Sequence, residues 1–264
     1  DRNIDFKRNI YETPSTAHEK EIKHMKHIKI AAGMAWCFPY GNTSEAMKEA
    51  LDAGCDYCHS DAADMYDLRN QQLIGGHLIV KAVRDITEKP IECHLYAKDV
   101  DRLFIEKLAK AGCTMLILPV ENFIGAPLAY IIDWCHKFGM KIGLTIGCYT
   151  PLCFLNEAIY DIDRLHIVIH GAGKAPEGET QWAWRRSSLE LIKEARKMID
   201  ERNSDCELAV DGGIRPDNLD PIIACNPDVL VFSSALYLDE EGITAGVKKC
   251  REAIDAAVLK YGIE

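Results

Sequence analysis

Four side chains on three separate segments could do chemistry together: His59 and Asp61 in CHSDAAD, His94 in IECHLYA and Asp211 in AVDGGI. Each falls at or just beyond the end of an expected β-strand. Two imidazoles with two carboxylates suit Zn²⁺, Mn²⁺, Fe²⁺ or Co²⁺, and an ion that still admits substrate oxygens acts as a Lewis acid. Carboxylates on opposite sides of a bound molecule can also remove and return a proton at one carbon, so metal and acid/base work would share residues. In the run HSD the histidine and the aspartate two positions on point the same way, because strand side chains alternate with period two. An H-x-D alone is commonly a structural pair, and the other two strand ends are what give it weight as a site.

The elements that must bring these residues together are legible as alternating periods. From Lys29 onward, short apolar β-rich runs alternate with longer runs of helical period. Strands are expected at Lys29 to Ala35, Tyr57 to Ser60, Ile91 to Leu95, Met115 to Pro119, Lys141 to Gly147, Arg164 to Ile169, Glu207 to Val210 and Val229 to Ser233. Helices are expected at Ser44 to Ala53, His77 to Ile86, Val100 to Ala111, Pro127 to Phe138, Cys153 to Ala158, Ser187 to Ile199, Pro216 to Ala224 and Glu240 to Lys260. Gly54, Gly112 and Gly139 follow three of these helices as left-handed caps. Eight consecutive units without a second domain favour an α/β fold closed into a (β/α)8 TIM barrel over an open doubly wound sheet. Strand ends then converge on one face, where such folds place their chemistry.

Residues 1–28 break this rhythm and read as an appended arm with one short helix, so the barrel is expected to occupy 29–264. His18, His24 and His27 lie in that charged segment and are read as solvated surface.

Composition narrows the function classes. A chain of 264 residues with 48% hydrophobic content suits one large domain, and its formal charge of -10 argues against a nucleic-acid or anionic-membrane surface. No apolar run approaches the length of a spanning helix, because Lys, Asp or Glu interrupts each one. Eleven cysteines, several inside expected strands or at strand starts, are read as reduced core thiols in a cytoplasmic protein. A small-molecule substrate is the reading that remains.

Two further features point to an anionic group on that substrate. Gly212 and Gly213 follow the seventh strand, and Ser233 and Ser234 follow the eighth, the usual phosphate region of a barrel. The plainer readings are a tight turn for the glycines and helix capping for the serines.

This arrangement resembles the ribulose-phosphate 3-epimerase family from about Lys29 to Leu238. The family's H-x-D-x-x-D is matched by His59, Asp61 and Asp64, with Asn70 and Gly75 near a later Asn and Gly. Its His-Leu is matched by His94 and Leu95, its closing Glu of strand four by Glu121, and its V-D-G-G by Val210 to Gly213. The resemblance implies epimerisation at C3 of a ketose phosphate with one divalent ion held by His59, Asp61, His94 and Asp211. In that scheme the ion holds the enediolate oxygens while Asp61 and Asp211 exchange the proton. It implies a homo-oligomer as well.

Departures from the family bear on the substrate. Gly33 stands where the family's first strand offers a serine, so a substrate contact is missing or moved. The family's Pro-Gly-x-Gly-Gly loop is replaced by HGAGKAPEGETQWAWRR. Gly171 and Gly173 could still donate backbone N–H groups there, and Lys174, Arg185 or Arg186 could supply charge. His170 and Tyr96 are further candidate substrate contacts, Tyr96 and Ala63 standing where the family often has methionine. Ribulose 5-phosphate, or another pentulose, hexulose or tetrulose phosphate, fits this altered lining. A decarboxylase of the same superfamily would show D-x-K-x-x-D, and Asp61 occupies the lysine position. An imine-forming aldolase would need a buried lysine at a strand end. A binding barrel without turnover is the non-enzyme alternative.

Overall fold

The apolar runs pair with one another in chain order until the last meets the first. In the computed structural model, which describes residues 25–34, 42–63, 76–148, 150–169 and 186–264, the strands are β1 Lys29–Gly33, β2 Tyr57–Ala63, β3 Ile91–Tyr96, β4 Met115–Pro119, β5 Lys141–Gly147, β6 Arg164–Val168, β7 Glu207–Asp211 and β8 Val229–Phe232. All neighbours are parallel and β8 pairs back onto β1, closing the barrel. The helices are α1 Thr43–Asp52, α2 His77–Arg84, α3 Arg102–Ala111, α4 Ala126–Lys137, α5 Arg186–Arg202, α6 Asp220–Ile223, α7 Ser234–Tyr237 and α8 Ile243–Tyr261. The architecture is therefore the (β/α)8 barrel that the alternation predicts. The expected arm lies mostly in residues 1–24, outside the described residues.

Period-two alternation sorts the side chains into two sets. Ile30, Cys58, Cys93, Leu116, Ile142, Leu165, Leu208 and Leu230 belong to the main core between strands and helices. A smaller separate cluster of Ala31, Ala209, Val229 and Val231, with Tyr57 against it, fills the barrel interior. Small residues in that inner cluster leave space for the large polar side chains that share the interior.

Local chemistry explains most element ends. Asp101 caps α3 by accepting from the Phe104 amide at 2.7 Å, and Gly112 ends the helix at φ 99°. Arg84 then donates to the Gly112 carbonyl at 2.9 Å, tying α2 to the same turn. The expected helix Cys153 to Ala158 is instead two 3₁₀ turns, Leu152–Leu155 and Ala158–Tyr160. Six residues make under two turns, too few to offset helix nucleation without a long apolar face. The expected Pro216 to Ala224 shortens to α6, which starts beside Pro221.

The ten described cysteines are all free thiols, eight of them buried. Burial pushes Cys55, Cys113, Cys135, Cys206 and Cys250 up to about 12, which keeps them protonated and inert. Among the described residues no helix is long and apolar enough to cross a membrane.

Candidate active site

The site stands on a layer of charge, buried at Arg164 and Glu92 and partly exposed at Glu207 and Lys29. Arg164 on β6 and Glu207 on β7 are direct cross-strand partners, and Arg164 Nη2 donates to Glu207 Oε2 at 2.5 Å. Arg164 Nη1 also donates to Glu92 on β3, and Lys29 on β1 donates to Glu207. The guanidinium lies over the Tyr57 ring, 4.9 Å from its centroid. Arg164 is wholly buried. Burial alone would weaken its hold on the proton, but Glu92 and Glu207 outweigh it and raise its pKa. Two cations and two anions balance within this layer.

Above it, β2 and β3 are in register so that His59 faces Glu92 and Asp61 faces His94. His59 donates from Nδ1 to Glu92 Oε1 at 2.7 Å, which leaves its Nε2 directed elsewhere and without a hydrogen-bond partner. That Nε2 lies 3.5 Å from Asp61 Oδ1 and 3.9 Å from Asp211 Oδ2, so the two carboxylates flank one imidazole nitrogen. His94 contributes Nδ1, 3.5 Å from Asp61 Oδ1, and neither of its nitrogens makes a hydrogen bond. His166 on β6 brings Nε2 to 3.4 Å from Asp211 Oδ2. The three rings pack closely, with centroids 5.3 Å apart for His59 and His94, 5.4 Å for His59 and His166, and 4.7 Å for His94 and His166.

Buried imidazole nitrogens without partners are costly unless something binds them. Asp61 and Asp211 sharpen the point, since their ion pairs among the described residues are all with imidazoles and none with Lys or Arg. With neutral imidazoles the two carboxylates carry a charge of about -2, which a divalent cation would neutralise. Ligand atoms of His59, His94, His166 and Asp211 all lie within 4.8 Å of one another, so the donor set fits such an ion. Both aspartates remain partly open to the barrel mouth, their side chains 13% and 17% exposed.

Electrostatics shows the same pull on positive charge. Burial disfavours a charged His59, but Asp61 and Glu92 outweigh it and its pKa stands well above the usual histidine value. Burial would raise Asp61, yet His59 and His94 hold it low. Asp211 is likewise lowered, with His166 and His59 outweighing burial. His166 moves the other way, to about 4, because burial and the neighbouring His94 and His59 exceed the attraction of Asp211.

The remaining expected residues take distinct places. Tyr96, at the end of β3, has its ring centroid 4.4 Å from that of His94. Gly212 and Gly213 adopt φ of 116° and 64°, a double left-handed turn that favours glycine at both positions. Ser233 precedes α7 but its side chain makes no capping bond there, so the capping reading fails for that hydroxyl. Ser234 is the exposed first residue of α7. Glu121 is exposed and accepts from Thr150. His170, Gly171, Gly173 and Lys174 lie outside the described residues, as do Asp64, Asn70, Gly75 and Arg185.

Sequence reasoning missed His166, Glu92 and Arg164. A signal was present: E-x-H on β3 and R-x-H on β6 place polar side chains at alternate positions of otherwise apolar strands, the pattern already noticed in H-x-D.

Comparison with known proteins agrees with this geometry. Residues 30–237 match the profile described as the ribulose-phosphate 3 epimerase family. The chain is 30% identical over 199 residues to the ribulose-phosphate 3-epimerase of Buchnera aphidicola subsp. Acyrthosiphon pisum, covering 75% of this chain and 83% of that one. It is 24% identical to the enzyme of the same name from Aquifex aeolicus, covering 87% and 96% respectively. Among solved structures, 3-hexulose-6-phosphate synthase from Salmonella typhimurium superposes with a TM-score of 0.62 at 17% identity, covering 88% of this chain and 99% of that one. Tryptophan synthase from M. tuberculosis superposes with a TM-score of 0.61 at 14% identity, covering 90% and 95%. Those two likenesses are of fold. On the profile match and the sequence identities, the chain belongs to the ribulose-phosphate 3-epimerase family and is an isomerase.

Proposed function

We propose that this protein epimerises C3 of a ketose phosphate, ribulose 5-phosphate first among the candidates, by two-base proton transfer in a metal-assisted site. The observation that carries the reading is the convergence of His59, Asp61, His94 and Asp211 around unpartnered, buried imidazole nitrogens at the mouth of a closed barrel. His59, Asp61, His94 and Asp211 would hold the ion. A divalent ion bound there supplies Lewis-acid stabilisation of the negative charge that develops on the sugar oxygens.

The chain's own residues do the rest. Asp61 and Asp211 flank His59 Nε2, which suits them to address opposite faces of one carbon. One carboxylate takes the C3 proton, leaving an enediolate, and the other delivers a proton to the opposite face. Both are held ionised at rest, so the donor must first take up its proton from solvent. Solvent hydrogen should therefore enter the product. Tyr96 beside His94 would wall the sugar. Gly212, Gly213, Ser233 and Ser234 would meet the phosphate, with Gly171, Gly173, Lys174 and His170 as further proposed contacts. A cytoplasmic homo-oligomer with reduced thiols accompanies this reading.

The test is incubation with divalent metal in D₂O alongside a panel of pentulose, hexulose and tetrulose phosphates, following C3 by NMR. Deuterium at C3 with formation of the epimer supports the reading and names the sugar. No exchange with any member, despite bound metal, replaces it with a binding role or another substrate class.

A further inference from the structure

Resting on that epimerase reading, we propose that His166 on β6 is a positioning residue for the reaction: it holds the Asp211 carboxylate by one oxygen and so fixes one of the two bases relative to C3.

The first support is the pattern of contacts at Asp211. It meets two ring nitrogens, both through Oδ2: His166 Nε2 donates to that oxygen at 3.4 Å, and His59 Nε2 lies 3.9 Å from it. A metal ligand nitrogen carries no proton, so with an ion held by His59, Asp61, His94 and Asp211, His59 Nε2 has none to give Asp211. Among the described residues, His166 is then the side chain that holds Asp211 by a hydrogen bond. Asp61 is placed differently. Its ring contacts, both at 3.5 Å, are with the proposed ligands His59 and His94 and do not involve His166.

The second is that the His166 ring is itself fixed. It is wholly buried in the barrel interior, with Thr145 and Ala209 as its cross-strand partners. It stacks on His59 with centroids 5.4 Å apart and an interplanar angle of 11°, and His59 is tied to Glu92 at 2.7 Å. Contacts therefore run from Glu92 through His59 and His166 to Asp211. A reacting group held by packed neighbours keeps its alignment, and a misplacement of about 1 Å can cost about 10²-fold in rate.

The third is the choice of side chain. Leucine would fill this space without the cost of desolvating an imidazole, so what histidine adds is the hydrogen bond. An ionised carboxylate only accepts, which puts the His166 proton on Nε2 and leaves Nδ1, which has no partner, as the bare nitrogen.

The two bases can be told apart by isotope. Without His166, Asp61 still removes the C3 proton from the epimer it faces, but Asp211 meets the enediolate poorly. Asp61 then returns a solvent hydrogen to the face it came from.

The test uses the full chain loaded with Zn²⁺ in D₂O, given the ketose phosphate that the wild type turns over and, separately, its C3 epimer. The wild type should place deuterium in product from either start. His166→Leu, with His166→Met in its place should the first not fold, should lower kcat by about 10- to 100-fold with KM within about threefold. Deuterium should accumulate in the recovered starting sugar, ahead of epimer formation, from one epimer and not from the other. Zn²⁺ affinity of the metal-free variant, by competition against a chromophoric chelator, should fall by about tenfold or more. His166→Gln, whose amide can donate to the same oxygen, should restore both kcat and affinity to within about threefold of wild type. Wild-type kcat in a folded His166→Leu overturns the proposal. So do equal losses in the leucine and glutamine variants, or deuterium that tracks epimer formation from both starts. Failure of the zinc-loaded wild type to epimerise or exchange removes the epimerase reading underneath, a different result from any of these.

Discussion

His59 and Glu92 are direct partners across β2 and β3, with Nδ1 of the one 2.7 Å from Oε1 of the other and both side chains sealed from solvent. Glu92 also accepts from Arg164, so one carboxylate couples the charged barrel floor to the ring that faces the site. The orientation of His59 rests on that link. Glu92→Gln removes the charge and is expected to weaken metal binding by about 10- to 100-fold. Competition against a chromophoric chelator measures it. Unchanged affinity would mean that packing alone sets the ring.

Arg164 has the opposite exposure to risk. It is buried and shared by two carboxylates, so its loss leaves the buried Glu92 with His59 as its remaining named partner and Glu207 with Lys29. Arg164→Met is expected to cost about 3 to 5 kcal/mol, the usual price of stranding a buried charge. Urea unfolding of the metal-free protein gives the value, and a loss under about 1 kcal/mol, the level of an exposed ion pair, would show that the floor network contributes little.

The same carboxylates set an acid limit. Burial would raise Glu92, but Arg164 and His59 outweigh it and bring it to about 2, and Glu207 is lowered chiefly by Arg164 against its own burial. The unfolded chain therefore binds protons in this range more readily than the folded one. Stability from these pairs is complete above the ordinary glutamate value of 4.5 and falls as pH drops toward 2. In the metal-free protein Glu207→Gln should flatten the decline in unfolding free energy between pH 5 and pH 3, measured by urea titration. An identical slope would remove Glu207 from the account.

Much of this was legible in the sequence, for a physical reason. Strand and helix periods differ, and the helix-ending glycines mark the changes, so the barrel followed from pattern alone. Polar residues near the ends of three expected strands marked His59, Asp61, His94 and Asp211 as a group, because barrel topology forces strand ends together. His166, Glu92 and Arg164 were hidden because they sit mid-strand or at strand starts, where polar side chains matter only once the interior is known to be shared. Their meaning lies in register, His59 against Glu92 and Arg164 against Glu207, and register is set by closure of the whole barrel. The short turns after β5 were misread because two apolar clusters at near-helical spacing look like one helix.

Asp61 and Asp211 carry the proposed chemistry, and each should be indispensable separately. Asp61→Asn and Asp211→Asn keep size and polarity but abolish proton uptake, so each should reduce turnover by at least about 10²-fold. A coupled assay of epimer formation measures this. Near-normal activity in either variant would remove the two-base scheme.

The Ser233 hydroxyl occupies the space that a side chain at Gly33 on β1 would need. The resemblance led to a serine at position 33, and the chain has glycine. A side chain built on Gly33 would collide with the Ser233 hydroxyl and come within 3.3 Å of the Phe232 carbonyl oxygen. If Ser233 meets the substrate as proposed, its hydroxyl would take over from the end of β8 a contact expected from β1, and glycine at 33 is what leaves room for it. Gly33→Ala should force Ser233 out of that position at a small cost in stability, under about 1.5 kcal/mol for a displaced rotamer. Its effect on KM for the sugar phosphate should match that of Ser233→Ala, and the double variant should be no worse than either single one, since both remove the same contact. Additive KM effects would instead mean that the two residues act on substrate independently, and that the Ser233 hydroxyl does not replace a contact from β1.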